Sequence, residues 1–367
     1  MTVELNHRLE GPDGAPVLML AGSLGSSLVT WDDQAAAFAT RHRVLRYDHR
    51  GHAGSPVPPG PYTMDDLVDD VLALLDRLAI DRVTFCGLSL GGAVGMTLAL
   101  RAPERVERLV LCCTSRHFGP PEQWLDRAAT VRDHGVEALA PAVLERWLTP
   151  SAPPEMVARL YSVLRSTPAE GYAGCCEAIA GYDVRGALGA VQAPTLAIAG
   201  AHDPATPPAE LEAIVAEVPD ARLHVLGGAA HLANVEQAAE FNRTLSAFLE
   251  GDGMRTRRAV LGDAHVDRAI GSATGFTADF QDFITRYAWG EIWTRPGLDR
   301  RMRSAVTLTA LVALGHENEL ALHVRAARRN GLSADEIKEI LLQCAVYCGV
   351  PAANSAFAVA SRVLEEE

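Results

Sequence analysis

The stretch that most constrains this chain is Val83-Thr84-Phe85-Cys86-Gly87-Leu88-Ser89-Leu90-Gly91-Gly92. A short apolar, β-rich run enters a G-x-S-x-G turn, and the helical run Ala93 to Ala102 leaves it. A turn of this kind lifts a serine above a sheet edge on strained backbone and leaves little room for side chains nearby, a demand that Gly87 and Gly91 meet. Gly92 lets the following helix pack closely. A bare G-x-S-x-G arises often by chance; the strand before it and the helix after it make Ser89 a candidate nucleophile.

A serine hydroxyl is a weak nucleophile at neutral pH, so it needs a base, and the base needs an orienting carboxylate. Ala199-Gly200-Ala201-His202-Asp203 follows one expected strand, and Gly227-Gly228-Ala229-Ala230-His231 follows the next. Asp203 and His231 thus fall at strand ends in the chain order Ser, Asp, His. His224 lies inside a strand run and His202 precedes the acid, so both are set aside. Acyl transfer also requires donors aimed at the developing oxyanion. The backbone N–H of Leu90 is one. The second is expected from Gly22-Ser23-Leu24-Gly25, supplied by Leu24, or by Ser23 if the register is one residue out. Asp48-His49-Arg50-Gly51-His52 reads as structural, with Asp48 and Arg50 fixing loops.

Through the first 250 residues, apolar runs at Val17 to Ala21, Arg43 to Tyr47, Val83 to Cys86, Leu109 to Cys112, Thr195 to Ala199 and Leu223 to Leu226 alternate with helical patterns. Met64 to Leu78 is one such pattern, with Leu67, Val71, Leu74, Leu75 and Leu78 on one face. The expected architecture is a doubly wound, mostly parallel sheet, the α/β-hydrolase fold. The alternation stops between about 115 and 189, where several helices are expected without intervening strands. This insertion is read as a cap over the carboxyl ends of the strands, where open α/β sheets bind ligands.

A chain of 367 residues exceeds the usual limit of one growing core, so two domains are expected. They are read as 1–250, a linker at 251–258 beginning Gly251-Asp252-Gly253 with Arg255, Arg257 and Arg258 as a solvated basic run, and a wholly helical domain at 259–367. There Ser333 and Glu336 form a capping box, and Pro351 sits in the first turn of a helix. From Met254 onward there are 14 basic and 14 acidic residues, so the whole formal net charge of -13 lies in the earlier part. That charge argues against nucleic acid as a partner, since phosphate binding needs a basic surface. Seven cysteines without framework spacing fit free thiols in a reducing compartment. With no signal-peptide pattern at Met1 to Gly11 and no membrane-length apolar run, the expected location is the cytoplasm.

The first 250 residues resemble the 3-oxoadipate enol-lactone hydrolases of aromatic catabolism. The residues that carry this are Gly22-Ser23-Leu24-Gly25, where many relatives have His-Gly, Tyr47 to His52, Gly87 to Gly92, and Gly200 with Asp203 and Thr206-Pro207. From about 255 to the end the chain resembles the 4-carboxymuconolactone decarboxylases, small all-helical proteins related to alkylhydroperoxidase-like folds. The matching text is Glu291 to Leu298, Arg301 to Ser304, Glu319 to Ala327, Asn330-Gly331-Leu332 and Val346 to Ala352. The two resemblances imply a bifunctional enzyme of protocatechuate breakdown in the 3-oxoadipate pathway. It would decarboxylate a lactone without a cofactor and then hydrolyse the resulting enol-lactone.

For the helical domain the second resemblance implies His323 as acid or oxyanion donor and Glu291 as a further proton-handling group. Arg301 and Arg303 would clamp substrate carboxylates. Cys344 and Cys348, four apart, read as packing, and no metal is expected. Small lactones and carboxylates are the expected partners, with assembly into a homo-oligomer through the helical domain. The competing reading is a serine hydrolase of another ester or lactone, with the helical domain serving only oligomerisation and releasing no CO2.

Overall fold

The apolar runs assemble, in the computed structural model, into one seven-stranded sheet of order β1-β3-β2-β4-β5-β6-β7. Its strands are β1 (His7–Glu10), β2 (Val17–Ala21), β3 (Arg43–Tyr47), β4 (Val83–Leu88), β5 (Val106–Cys112), β6 (Thr195–Gly200) and β7 (Ala221–Leu226). The structure describes residues 1–249 and 251–366, without the surroundings of residues 251 and 252. All neighbouring strands are parallel except β1, which runs antiparallel to β3 at the edge. Every residue of β4 and β6 is buried, as expected of central parallel strands covered on both faces. β1 has no counterpart among the apolar runs, because three of its four residues, HRLE, are polar and the strand is only partly covered.

The helices of this part are α1 (Asp32–Phe38), α2 (Met64–Arg77), α3 (Leu90–Arg101), α4 (Pro121–His134), α5 (Ala140–Trp147), α6 (Pro154–Arg165), α7 (Ala169–Ala180), α8 (Pro208–Glu217), α9 (Ala233–Glu236) and α10 (Ala238–Leu249). α2 starts at a reciprocal capping box between Thr63 and Asp66 and buries Leu67, Val68, Val71, Leu74 and Leu75. α4 to α7 occupy the interval between β5 and β6 where the cap was expected. They meet the strand-end loops directly: the N–H of His231 donates to the Arg146 carbonyl (3.3 Å), and that of Leu232 to the Trp147 carbonyl (2.9 Å). All seven cysteines are free thiols. Among the described residues no helix is long and apolar enough to cross a membrane.

The chain divides into two compact units, Met1–Thr244 and Leu245–Glu367. The second contains α11 (Gly251–Leu261), α12 (Asp263–Gly271), α13 (Ala278–Ile284), a π-helix (Thr285–Ile292), α14 (Arg300–Leu314), α15 (Glu317–Arg329), α16 (Ala334–Tyr347) and α17 (Val350–Glu365). One core joins Leu308, Val312, Leu320, Val324, Ile337, Leu341 and Val359; a smaller one joins Val260, Val266, Trp289 and Ala326. The Ser333–Glu336 capping box opens α16, and Pro351 lies in the first turn of α17.

The stretch 251–258 is helical and not a linker. A Cβ at Gly253 would lie 2.3 Å from the Thr285 carbonyl oxygen, so this glycine permits close helix packing. Nor is the basic run wholly solvated. Arg257 is buried and donates to Thr285 Oγ1 (2.8 Å) and Gln281 Oε1 (2.7 Å), while Arg258 pairs with Asp267 (2.8 Å).

Candidate active site

Because β4, β6 and β7 are parallel in one sheet, the residues that follow them emerge at the same edge. Ser89 sits between β4 and α3 with φ 56° and ψ -112°, a left-handed conformation that non-glycine residues adopt only under constraint. The constraint is visible. The Ser89 N–H donates to the Cys112 carbonyl (2.9 Å), its own carbonyl accepts from Thr114 Oγ1 (2.7 Å), and Gly91 N–H donates to the Gly22 carbonyl (3.0 Å). A Cβ at Gly87 would lie 2.1 Å from the Gly91 carbonyl oxygen, and one at Gly91 2.3 Å from that of Ala21. Neither position admits another residue without moving backbone.

Asp203 and His231, both buried, meet through Oδ2 and Nδ1 at 2.8 Å. Asp203 also accepts from Thr206 Oγ1 (2.7 Å) and from the backbone N–H groups of Ala205 (2.8 Å) and Thr206 (3.1 Å). Burial alone would raise its pKa. The charge and hydrogen bond of His231 and the donors of Thr206 outweigh that and hold the carboxyl below its ordinary range. An ionised Asp203 selects the His231 tautomer with its proton on Nδ1, leaving the Nε2 lone pair to act as a base. Thr206 entered the sequence reading only as part of a motif; here it fixes the acid. His202 is exposed, and half-buried His224 faces Glu240 at 3.3 Å, so neither competes with His231.

Among the described residues, the N–H groups of Leu24 and Leu90 have no hydrogen-bond partner, and neither has that of Ser23. The loop carrying Leu24 is held from beneath. His52 Nε2 accepts the Gly25 N–H (2.9 Å), and His49 Nε2 lies 3.0 Å from the Gly22 carbonyl, to which it donates. Asp48 accepts from the Leu28 N–H (2.7 Å), and Arg50 pairs with buried Asp70 (2.7 Å), in keeping with the structural role expected of both.

Burial, with His52 nearby, pushes the His49 pKa from 6.5 down to about 3. Between those values the unfolded chain holds more protons than the folded one, so stability is complete above 6.5 and is lost as pH falls below it. From pH 7 to pH 5 His49 should cost the first unit about 2 kcal/mol. Urea unfolding of wild type and His49→Gln at both pH values checks this: the variant should lose about 2 kcal/mol less.

In the second unit, His323 on α15 is half-buried. Burial holds its imidazole below the ordinary range, His265 on α12 lowers it further, and Glu319 one turn earlier opposes the shift. His265 was not foreseen, since its pairing across two helices leaves no local sequence pattern. Glu291 is exposed on the π-helix. Arg301 donates to the Gly331 carbonyl (2.6 Å) and pairs with Glu336 (2.5 Å). It also borders a surface groove lined by Asp299, Asp335, Glu336 and Glu339, which repels anions, so its expected role as a carboxylate clamp does not fit its surroundings. Arg303 donates to the Arg295 carbonyl (2.7 Å), and its buried Nε has no partner among the described residues.

The model of the alpha/beta hydrolase fold matches residues 15–238, and that of the carboxymuconolactone decarboxylase family matches residues 278–362. The 3-oxoadipate enol-lactonase 2 of Acinetobacter baylyi is 41% identical over 251 residues, 68% of this chain and 94% of the relative. The 4-carboxymuconolactone decarboxylase of the same organism is 48% identical over 114 residues, 31% of this chain and 85% of the relative. A crystal structure of the enol-lactonase from Burkholderia xenovorans LB400 superposes with a TM-score of 0.66 at 43% identity, covering 67% of this chain and 96% of that one. The chain therefore belongs to the alpha/beta-hydrolase family in its first part and to the carboxymuconolactone decarboxylase family in its second.

Proposed function

We propose that the chain catalyses two successive reactions of protocatechuate catabolism, decarboxylation of 4-carboxymuconolactone followed by hydrolysis of the 3-oxoadipate enol-lactone so formed. The observation that carries this is the fusion itself. Each part matches most of the length of a relative, and by their names the two act on chemically consecutive lactones.

In the first substrate the departing carboxylate sits on the ring carbon beside the lactone oxygen, conjugated through a double bond to the carbonyl. When the bond to CO2 breaks, its electron pair moves through the ring to the carbonyl oxygen, so the substrate is its own electron sink. The protein has only to hold anions, stabilise the dienolate and protonate the carbon next to the carbonyl. In this reading His323 is neutral at pH 7 and donates N–H to the dienolate oxygen. Glu291 handles the proton, and Arg303 is the arginine left for a carboxylate.

In the second reaction Ser89 attacks the lactone carbonyl while His231 takes its proton, held in the required tautomer by Asp203. The N–H groups of Leu24 and Leu90 receive the oxyanion. The ring oxygen leaves as the enol, and water activated by His231 releases the acyl group as 3-oxoadipate. The free thiols favour a cytoplasmic location. Assembly through the helical unit is supported by its exposed Phe276, Phe280, Phe283, Val346 and Tyr347.

A reaction in D2O with Ser89→Ala, which should stop at the enol-lactone, tests the first step. One deuterium is expected on the carbon next to the carbonyl, read by NMR. Deuterium elsewhere, or no CO2 loss, contradicts the proposed route.

A further inference from the structure

The loop that carries Leu24 has three successive peptide planes, each held by a different partner. A trans peptide points its C=O and N–H in opposite directions, so fixing one fixes the other. The Ser23 carbonyl accepts from the Ser26 N–H (3.1 Å) and from Ser26 Oγ (2.7 Å), which sets the plane of the Ser23–Leu24 peptide and turns the Leu24 N–H away from these donors. The next plane, Leu24–Gly25, is held through its N–H by His52 Nε2 (2.9 Å). The one after, Gly25–Ser26, is held through the Gly25 carbonyl by Thr167 Oγ1 (3.3 Å). The first hold is local. The other two come from outside the loop, His52 from the turn after β3 and Thr167 from the connection between α6 and α7 of the cap.

An imidazole nitrogen that receives a backbone N–H must carry a lone pair. His52 is fully buried, and burial holds its pKa below the ordinary range, so the ring is neutral at pH 7. With Nε2 accepting, the proton lies on Nδ1 and is donated to the Arg50 carbonyl (3.2 Å). Both ring nitrogens are thus spent on backbone, which leaves His52 no proton to transfer and makes it a fixed support. Thr167 is buried as well, and the cap also packs on the same residue of the loop: a Cβ at Gly25 would lie 2.6 Å from Leu164 Cδ1 of α6.

We infer that His52 and Thr167 are positioning residues for the oxyanion donor at Leu24, gripping Gly25 by its N–H and its carbonyl so that the neighbouring N–H is aimed before substrate arrives. The inference rests on the Ser89 hydrolysis of the proposed function and holds for any acyl substrate. An oxyanion donor stabilises the transition state far more than the ground state, and a misplacement of about 1 Å forfeits much of that. The cap thereby acts on the acyl-transfer step itself, through Thr167, as well as covering the site.

The test uses the full-length chain with p-nitrophenyl butyrate and with propylboronic acid, whose tetrahedral adduct with Ser89 resembles the intermediate of that ester. His52→Leu should lower kcat by about 10- to 100-fold with KM little changed, and should weaken inhibition by the boronic acid by a similar factor. His52→Gln, whose Oε1 can accept the same N–H, should recover most of that loss. Thr167→Val, which removes only the hydroxyl donor, should lower kcat by about 3- to 10-fold. An unchanged kcat in Thr167→Val and His52→Leu, or in Thr167→Val alone should the other not fold, overturns the inference. So does a loss that appears in KM and leaves boronic acid inhibition as in wild type. A wild type with no Ser89-dependent cleavage of this ester or of enol-lactone would overturn the hydrolase reading and the positioning role with it, an outcome distinct from unchanged variants of an active enzyme.

Discussion

Ser89→Ala removes lactone hydrolysis, lowering kcat by about 10⁴- to 10⁶-fold, and leaves CO2 release at the wild-type rate. The size follows from what a serine triad does: nucleophile and base act as a unit, so removing one member costs nearly as much as removing all, and only the oxyanion donors and binding remain. Alanine is a suitable replacement because it keeps a Cβ at the left-handed position, where φ is 56°. The contacts that hold this turn, to Cys112 and Thr114, are made by the backbone of residue 89 and do not need its hydroxyl. Feeding 4-carboxymuconolactone to this variant should therefore accumulate enol-lactone. Equal loss of both activities would contradict two independent sites.

The converse holds for His323→Ala, in which decarboxylation falls by about 10²- to 10³-fold, the usual cost of a lost donor to a developing oxyanion. Enol-lactone hydrolysis persists. Burial and His265 keep the His323 pKa below 6.5, so the neutral, donating ring predominates at pH 7 and the active form is lost only as pH falls through that lowered value. Wild-type decarboxylation should accordingly be flat above 6.5 and decline below it. A limb that rises toward acid pH would make the imidazolium the working form, and full activity in the alanine variant would remove His323 from the chemistry.

The hydrolase half was legible wherever function and fold are written locally. Strands such as Val17–Ala21 and Val83–Leu88 announce themselves because a parallel sheet covered on both faces needs largely apolar runs. Ser89, Asp203 and His231 stand out because each follows such a run. β1 escaped because an edge strand is half solvated and its four residues show it. The glycines near 251 read as a linker, yet Gly253 serves close packing against the Thr285 carbonyl, a long-range demand that local pattern does not express. The same limit hid His265 beside His323.

The most direct test is a time course of the purified chain with 4-carboxymuconolactone, following CO2 and 3-oxoadipate together. The account predicts both products in equal final amounts, with CO2 appearing first and enol-lactone as the transient between them. Ser89-dependent cleavage of a simple ester with neither product formed would contradict it, leaving a serine hydrolase of other specificity joined to a helical unit without decarboxylase activity.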